Sequence, residues 1–164
     1  MKQIGAHIAR QQFADAVGVL INGDGNDNAA ASIIAAEAGT LAYTDLLKLY
    51  NQLDPYTLNR LVMSPATMLK MMNLEEFKNP LTGINFQGTG STGTPLGAKL
   101  LRSSAVADDT IIGLDAGCAL EMVVASDVAV DYDKLIDRQL ERAVITTTAG
   151  FAKIFADSSA VLKI

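Results

Sequence analysis

Residues 140–164 read LERAVITTTAGFAKIFADSSAVLKI, and this closing stretch decides what kind of protein the chain can be. It is rich in β-branched and small apolar residues and poor in turn formers, a composition that suits a pleated, half-buried surface. Strands are predicted at 140–148, 150–155 and 160–164. The stretch reads as built to pack into a sheet and against a neighbour rather than to perform chemistry, because no nucleophile in it stands beside a base.

Immediately upstream, 133–141 (DKLIDRQLE) is predicted as one or two helical turns, since Leu135, Ile136 and Leu140 share a helical face. Further strands are predicted at 97–103, 110–115 and 119–131. Residues 79–95 (NPLTGINFQGTGSTGTP) are dominated by Gly, Thr, Pro and Asn and read as a long flexible loop carrying Gly83, Gly88, Gly90 and Gly93. At the front, Ile4, Ile8, Phe13, Val17, Leu20 and Ile21 recur at helical spacing among polar residues, which predicts a long amphipathic helix of about five turns. It has no capping residue before it, from which an upstream segment is expected. NGDGNDN at 22–28 ends that helix in a glycine-rich turn. A second helix is expected from a Thr44/Asp45 cap through Leu46, Leu47, Tyr50 and Leu53 to just before Pro55. A short strand at 60–63 then precedes a third helix, capped by Ser64 with Pro65 in its first turn and running toward Leu74.

The 164 residues are 49% hydrophobic, enough for one sizeable core or two small ones sharing a sheet. Thirteen Lys+Arg against eighteen Asp+Glu give a net charge of −5, which excludes a protein whose main task is to coat phosphate backbones, so no sequence-specific nucleic-acid partner is expected. The lone Cys118 cannot form an internal disulfide and is read as a small buried hydrophobe in a reducing compartment. No apolar run reaches the length of a membrane span, and the N-terminus lacks the apolar run of a signal peptide. With only 5% aromatic residues, deep aromatic pockets are not expected.

Several motifs invite a chemical reading and fail on context. Gly88, Gly90 and Gly93 match GxGxxG, but a dinucleotide site needs a strand before the glycines and a helix after them, and TPLGAKLL reads as a strand. Asp24, Asn26, Asp27 and Asn28 resemble the start of a calcium loop, yet the sixth and twelfth positions are Ala29 and Ala35 instead of Gly and Glu. His7, the only histidine, sits on the polar side of the first helix as a solvated or interface residue. Glu75–Glu76 and Asp108–Asp109 are consecutive pairs that do not converge on one substrate atom and read as solvated caps and turns. Met63, Met68, Met71 and Met72 have the spacing of core filler. No catalytic, cofactor or metal residue is therefore assigned.

The order of these segments carries a resemblance: the helix ending in NGDG, LAYTDLLKLYNQL, NRLVMSPATMLKMMNLEEF, the Gly-rich loop, TPLGAKLL, TIIGLDAGCALEMV and LERAVITTTAGFAKIF. From Phe13 onward the set is similar to the major capsid proteins of tailed bacteriophages. The resemblance implies an α+β fold with a spine helix, peripheral and axial sub-domains and mixed or antiparallel sheets. Residues 1–38 would be the spine helix and loop of the peripheral domain, 39–131 the axial domain and 132–164 the returning peripheral segment. It further implies no enzymatic activity, association with copies of itself into pentamers and hexamers, scaffold or portal proteins as further partners, and a place in the virion after assembly in a bacterial cytoplasm. The N-terminal arm and extended loop of such proteins are not found before the spine helix, so the chain resembles the C-terminal part of one, as from a truncated prophage product. Arg138, Glu141 and Arg142, charged and near a predicted edge, are the candidate subunit contacts, and the Gly-rich loop is expected to be an inter-subunit element. Two other readings stay open: an encapsulin nanocompartment shell, which shares the fold but encloses enzyme cargo, and a small α/β enzyme that holds a phosphate or nucleotide in the Gly-rich loop.

Overall fold

The computed structural model describes residues 2–78, 96–135 and 140–164. Helix α1 (Lys2–Asn22) is followed by strand β1 (Ala31–Ile34), α2 (Tyr43–Gln52), β2 (Arg60–Met63), α3 (Pro65–Met72) and the single turn α4 (Glu75–Lys78). Then come β3 (Lys99–Arg102), β4 (Thr110–Leu114), the long strands β5 (Leu120–Leu135) and β6 (Leu140–Lys153), a 3-10 turn at Ala156–Ser158 and β7 (Ser159–Lys163).

Two sheets result. The larger runs β1-β7-β4-β2-β3, with β1 parallel to β7, β2 parallel to β3, and antiparallel pairing at β7/β4 and β4/β2. Its central strands are apolar on both faces, and the period-2 alternation sorts their residues into two cores. Leu61, Met63, Ile111 and Leu162 face α2 and α3, where Leu46, Leu49, Leu53 and Met71 complete a fully buried cluster. Val62, Ile112, Leu114 and Val161 face the other way, against Val17 and Leu20 from the last turns of α1. Of the four methionines read as core filler, Met63 and Met71 fill the first core and Met68 packs against it, whereas Met72 is half-buried and belongs to neither core.

Local chemistry explains most boundaries. Ser64 caps α3 by accepting from the Thr67 N–H at 3.2 Å, with Pro65 at the first helical position. The 22–28 turn ends α1 as expected: Gly23 has φ +80°, and a Cβ there would meet Asn28 Oδ1 at 2.4 Å and the Ala29 nitrogen at 2.9 Å.

The structure departs from the expectations in four places. The α2 N-cap is Ala42 with no side-chain cap, so Thr44 and Asp45 lie inside the first turn. Asp45 is instead fully buried, accepting from the Ala36 N–H and from Lys48. Residues 133–135 and 140–141 are strand where a helical turn was expected, because cross-strand pairing of Asp133 with Arg142 and Lys134 with Glu141 prevails over a three-residue apolar face. The two strands predicted on either side of residue 149 are one, β6, since Ala149 and Gly150 pair with Val124 and Val123 and keep the ladder running. Cys118 is half-buried in the β4–β5 turn instead of enclosed in a core.

Candidate assembly surfaces

The second sheet is the β5–β6 hairpin alone. Fourteen residues of β6 at about 3.3 Å each make it roughly 45 Å long. Its pairing assigns two faces: Val130 opposite Ile145 and Tyr132 opposite Ala143 share one, while Asp131 opposite Val144 and Asp133 opposite Arg142 share the other. The Ile145 face turns toward α1, where β6 is half-buried from Ile145 to Phe151 at alternate positions. A groove of about 530 Å³ runs between them, lined by His7, Gln11, Gln12 and Asp15 from α1 and by every residue from Ile145 to Ala149. Successive strand residues point to opposite faces, so a groove that touches all five follows the free edge of β6. His7 is exposed there, as its place on the polar side of the helix predicted.

The hairpin leaves the larger sheet through a joint held by three ties. Asp115, at the end of β4, accepts from the Thr57 N–H (3.1 Å), the Gly117 N–H (3.0 Å) and Asn59 Nδ2 (2.8 Å), and Asn59 Oδ1 accepts from the Ala116 N–H in return. The Gly117 and Thr57 N–H groups hold the Asp115 carboxyl below the usual carboxylate range. Asp24, in the turn after α1, accepts from the Lys153 N–H at 3.1 Å and from the backbone and side chain of Asn26; the Lys153 N–H is the main reason its carboxyl lies below the usual range. These donors occupy both carboxylate oxygens of Asp24, the first position of the calcium-loop reading, and among the described residues no group of three metal-ligating side chains exists. The rings of Tyr56 and Phe155 pack at 5.7 Å across the same joint. Lys153 closes β6 with its ammonium buried and, among the described residues, without a hydrogen-bond partner; burial pushes its pKa below the usual lysine range while Asp157 and Asp24 oppose the shift.

Of the residues expected at subunit contacts, Glu141 and Arg142 lie exposed together at the far end of the hairpin, with Glu141 4.0 Å from Lys134 of the paired strand. Arg138 and the loop glycines Gly83, Gly88, Gly90 and Gly93 lie outside the described residues. Sequence reasoning missed a cleft of about 420 Å³ on the other side of α1, where Arg10, Phe13 and Ala14 meet Arg102, Ser103 and Ser104. No local signal marks it, because α1 and the end of β3 are brought together only by the tertiary fold. Among the described residues no helix is long and apolar enough to cross a membrane.

A long helix lying on a two-stranded hairpin that is clasped to a mixed five-stranded sheet defines a class: the chain has the fold of the major capsid proteins of tailed phages, which encapsulin shells also share. No family model and no curated protein matches the sequence. Solved structures do match. The capsid of a native GTA particle superimposes with a TM-score of 0.77 at 16% identity over 99% of this chain and 63% of that one. The protein of Mycobacterium phage Che8 gives 0.74 at 14% over 96% and 60%, and the holo-SrpI encapsulin complex of Synechococcus elongatus PCC 7942 gives 0.72 at 12% over 99% and 63%. The chain thus spans about three fifths of the length of the proteins it matches.

Proposed function

We propose that this chain is a structural subunit of a phage-type capsid, acting by association with copies of itself and performing no catalysis. The observation that carries the reading is that almost every element, hairpin and α1 included, superimposes on shell proteins while large apolar side chains stay exposed on the hairpin. Met122, Val123, Val124, Val128 and Val130 stand uncovered along β5. A two-stranded sheet is marginal in water unless a further surface covers it, and symmetry-related copies supply such a surface many times over. On this reading Glu141 and Arg142, with Arg138, contact a neighbour at the hairpin end. Pentamers and hexamers, scaffold or portal partners and assembly in a bacterial cytoplasm belong to the same proposal.

An encapsulin-type shell is the second reading, favoured by the likeness to the holo-SrpI complex and to the virus-like particle from Pyrococcus furiosus, at TM-scores of 0.72 and 0.65. Light scattering after size exclusion over a wide concentration range, with electron microscopy of any heavy fraction, tests both. Rings, sheets or shells are expected; a monomer at every concentration would refute assembly by this chain alone. Co-purified protein cargo in closed particles would favour the encapsulin reading over the phage one.

A further inference from the structure

We propose that the cleft between α1 and the end of β3 is a receptor for the acidic strip of β5 in a second copy of the chain, an inference that rests on the self-assembly reading above. The cleft concentrates positive charge on an acidic molecule: Arg10 and Arg102 both line it, beside the hydroxyl-bearing Ser103 and Ser104, in a chain of net charge −5. Both arginines are exposed, and among the described residues neither has a carboxylate within ion-pairing distance. The floor is apolar, with Phe13 41% exposed. Two guanidinium forks over an apolar floor suit carboxylates carried on an amphipathic segment. They do not suit a nucleic-acid backbone, whose dense charge is repelled by the rest of this molecule.

β5 carries the complementary pattern. Residues 127–135 read DVAVDYDKL, and Asp131 and Asp133 project from one face about 7 Å apart, two residues along a strand. Both are exposed, and among the described residues neither enters an ion pair although Arg142 lies opposite Asp133. Ala129 on the same strand and Val144 across from Asp131 share the face of the two acids and offer apolar contacts for a floor such as Phe13. The cleft opens on the side of α1 away from β6, since Ile8, Gln11, Gln12 and Asp15 face the hairpin while Ala9, Arg10, Phe13 and Ala14 face the cleft. The occupant is therefore another copy's strand. The contact is heterologous, donor strip on one copy and receptor cleft on the next, which is the kind that closes into rings.

The test uses two charge-reversed chains. Arg10→Glu with Arg102→Glu sets acid against acid; Asp131→Lys with Asp133→Lys sets base against base. Each alone is expected to associate at least about tenfold more weakly than the unaltered chain at low salt, and an equimolar mixture is expected to recover association, because the Glu cleft accepts the Lys strip and the intact Arg cleft accepts the intact Asp strip. Circular dichroism checks that both doubles fold. Association unaffected by either double, or lost without recovery in the mixture, would overturn the proposal and leave the self-assembly reading standing. If the unaltered chain stays monomeric, self-assembly by this chain fails, and a fluorescein-labelled DVAVDYDKL peptide decides the cleft independently. Binding that disappears in the Arg10→Glu/Arg102→Glu chain supports the receptor role; no binding, or displacement by a single-stranded oligonucleotide at lower concentration, overturns it.

Discussion

Gly113 offers a sharp test of how tightly the larger sheet is packed onto α2. It lies mid-strand in β4, opposite Leu61 and Ala160, with ordinary strand backbone. A Cβ added there would sit 3.0 Å from Leu49 Cδ2 and 3.0 Å from Leu58 Cδ1, both of them buried side chains enclosed by the first core. Contacts that short lie well inside the 3.5–4.0 Å optimum for carbon pairs, and close-packed neighbours cannot retreat freely. Overpacking of this kind costs about 1–3 kcal/mol, while the lost flexibility of the unfolded chain returns about 0.4–1 kcal/mol. Gly113→Ala is therefore expected to destabilise by about 1–2 kcal/mol. With a urea slope of about 2 kcal/mol/M, the midpoint falls by about 0.5–1 M at unchanged slope. Gly150→Ala is the control: in β6, nothing lies within 4 Å of the added Cβ, so that variant is expected to be neutral or slightly stabilising. Urea titrations followed by circular dichroism read both. Equal midpoints for Gly113→Ala and the unaltered chain would refute the packing argument, and equal losses in the two variants would show that strand glycines, and not Leu49 and Leu58, set the effect.

Three further outcomes follow from particular contacts. Ser64→Ala removes the acceptor for the Thr67 N–H and is expected to cost about 1–2 kcal/mol in chemical denaturation, with Ser64→Asp recovering part of it. Asp24 and Asp115 have folded carboxyl pKa values below 3.8, so they contribute stability that is complete above that pH and is lost as pH falls through their folded values; acid titration of Asp115→Asn should show lower stability at pH 7 but a shallower decline below pH 4. Lys153→Met removes a buried ammonium that has no hydrogen bond among the described residues and is expected to hold or raise the melting temperature at pH 7. The folded lysine pKa lies below 10.5, so the unaltered chain gains stability as pH rises toward that value, and the gain should be missing from the variant's difference curve.

What the sequence disclosed and what it withheld divide along the range of the interactions. The Ser64–Pro65 start, the glycine turn at 22–28 and the apolar run of β2 were legible because the residues that cause them are adjacent. β1 was not, since ASII sits in an alanine-rich stretch of low strand preference and becomes a strand only by pairing in parallel with β7. The 133–141 segment was misread for a related reason: Leu135, Ile136 and Leu140 offer a short helical face, but the ladder from Leu120 to Lys153 continues through the flanking residues and overrides local preference. At the candidate surfaces, Glu141 and Arg142 were legible as exposed charges near an edge. The Arg10/Arg102 cleft and the Asp24–Lys153 tie, whose partners lie 129 residues apart, needed the fold to bring them together.

The position of those long-range ties has a mechanical reason. A hairpin about 45 Å long is a lever, and an angular play of 5° at its base moves its far end by about 4 Å, more than the length of a hydrogen bond. If the chain meets its neighbours as proposed, through Asp131, Asp133, Glu141 and Arg142 near that far end, it needs stiffness at the joint more than stability at the tip. The polar ties meet that need: Asp115 and Asn59 fix the exit of β5 from the larger sheet, Asp24 fixes the return of β6 at Lys153, and Tyr56 against Phe155 fills the space beside them. Each charge-assisted bond is directional in a way that apolar packing is not, so the joint resists bending as well as separation. Met122, Val123, Val124, Val128 and Val130, by contrast, are left uncovered along β5, as the self-assembly proposal requires of a surface that another copy would cover. On that proposal, rigidity is concentrated where one chain holds its own shape, and adhesiveness where it would meet the next.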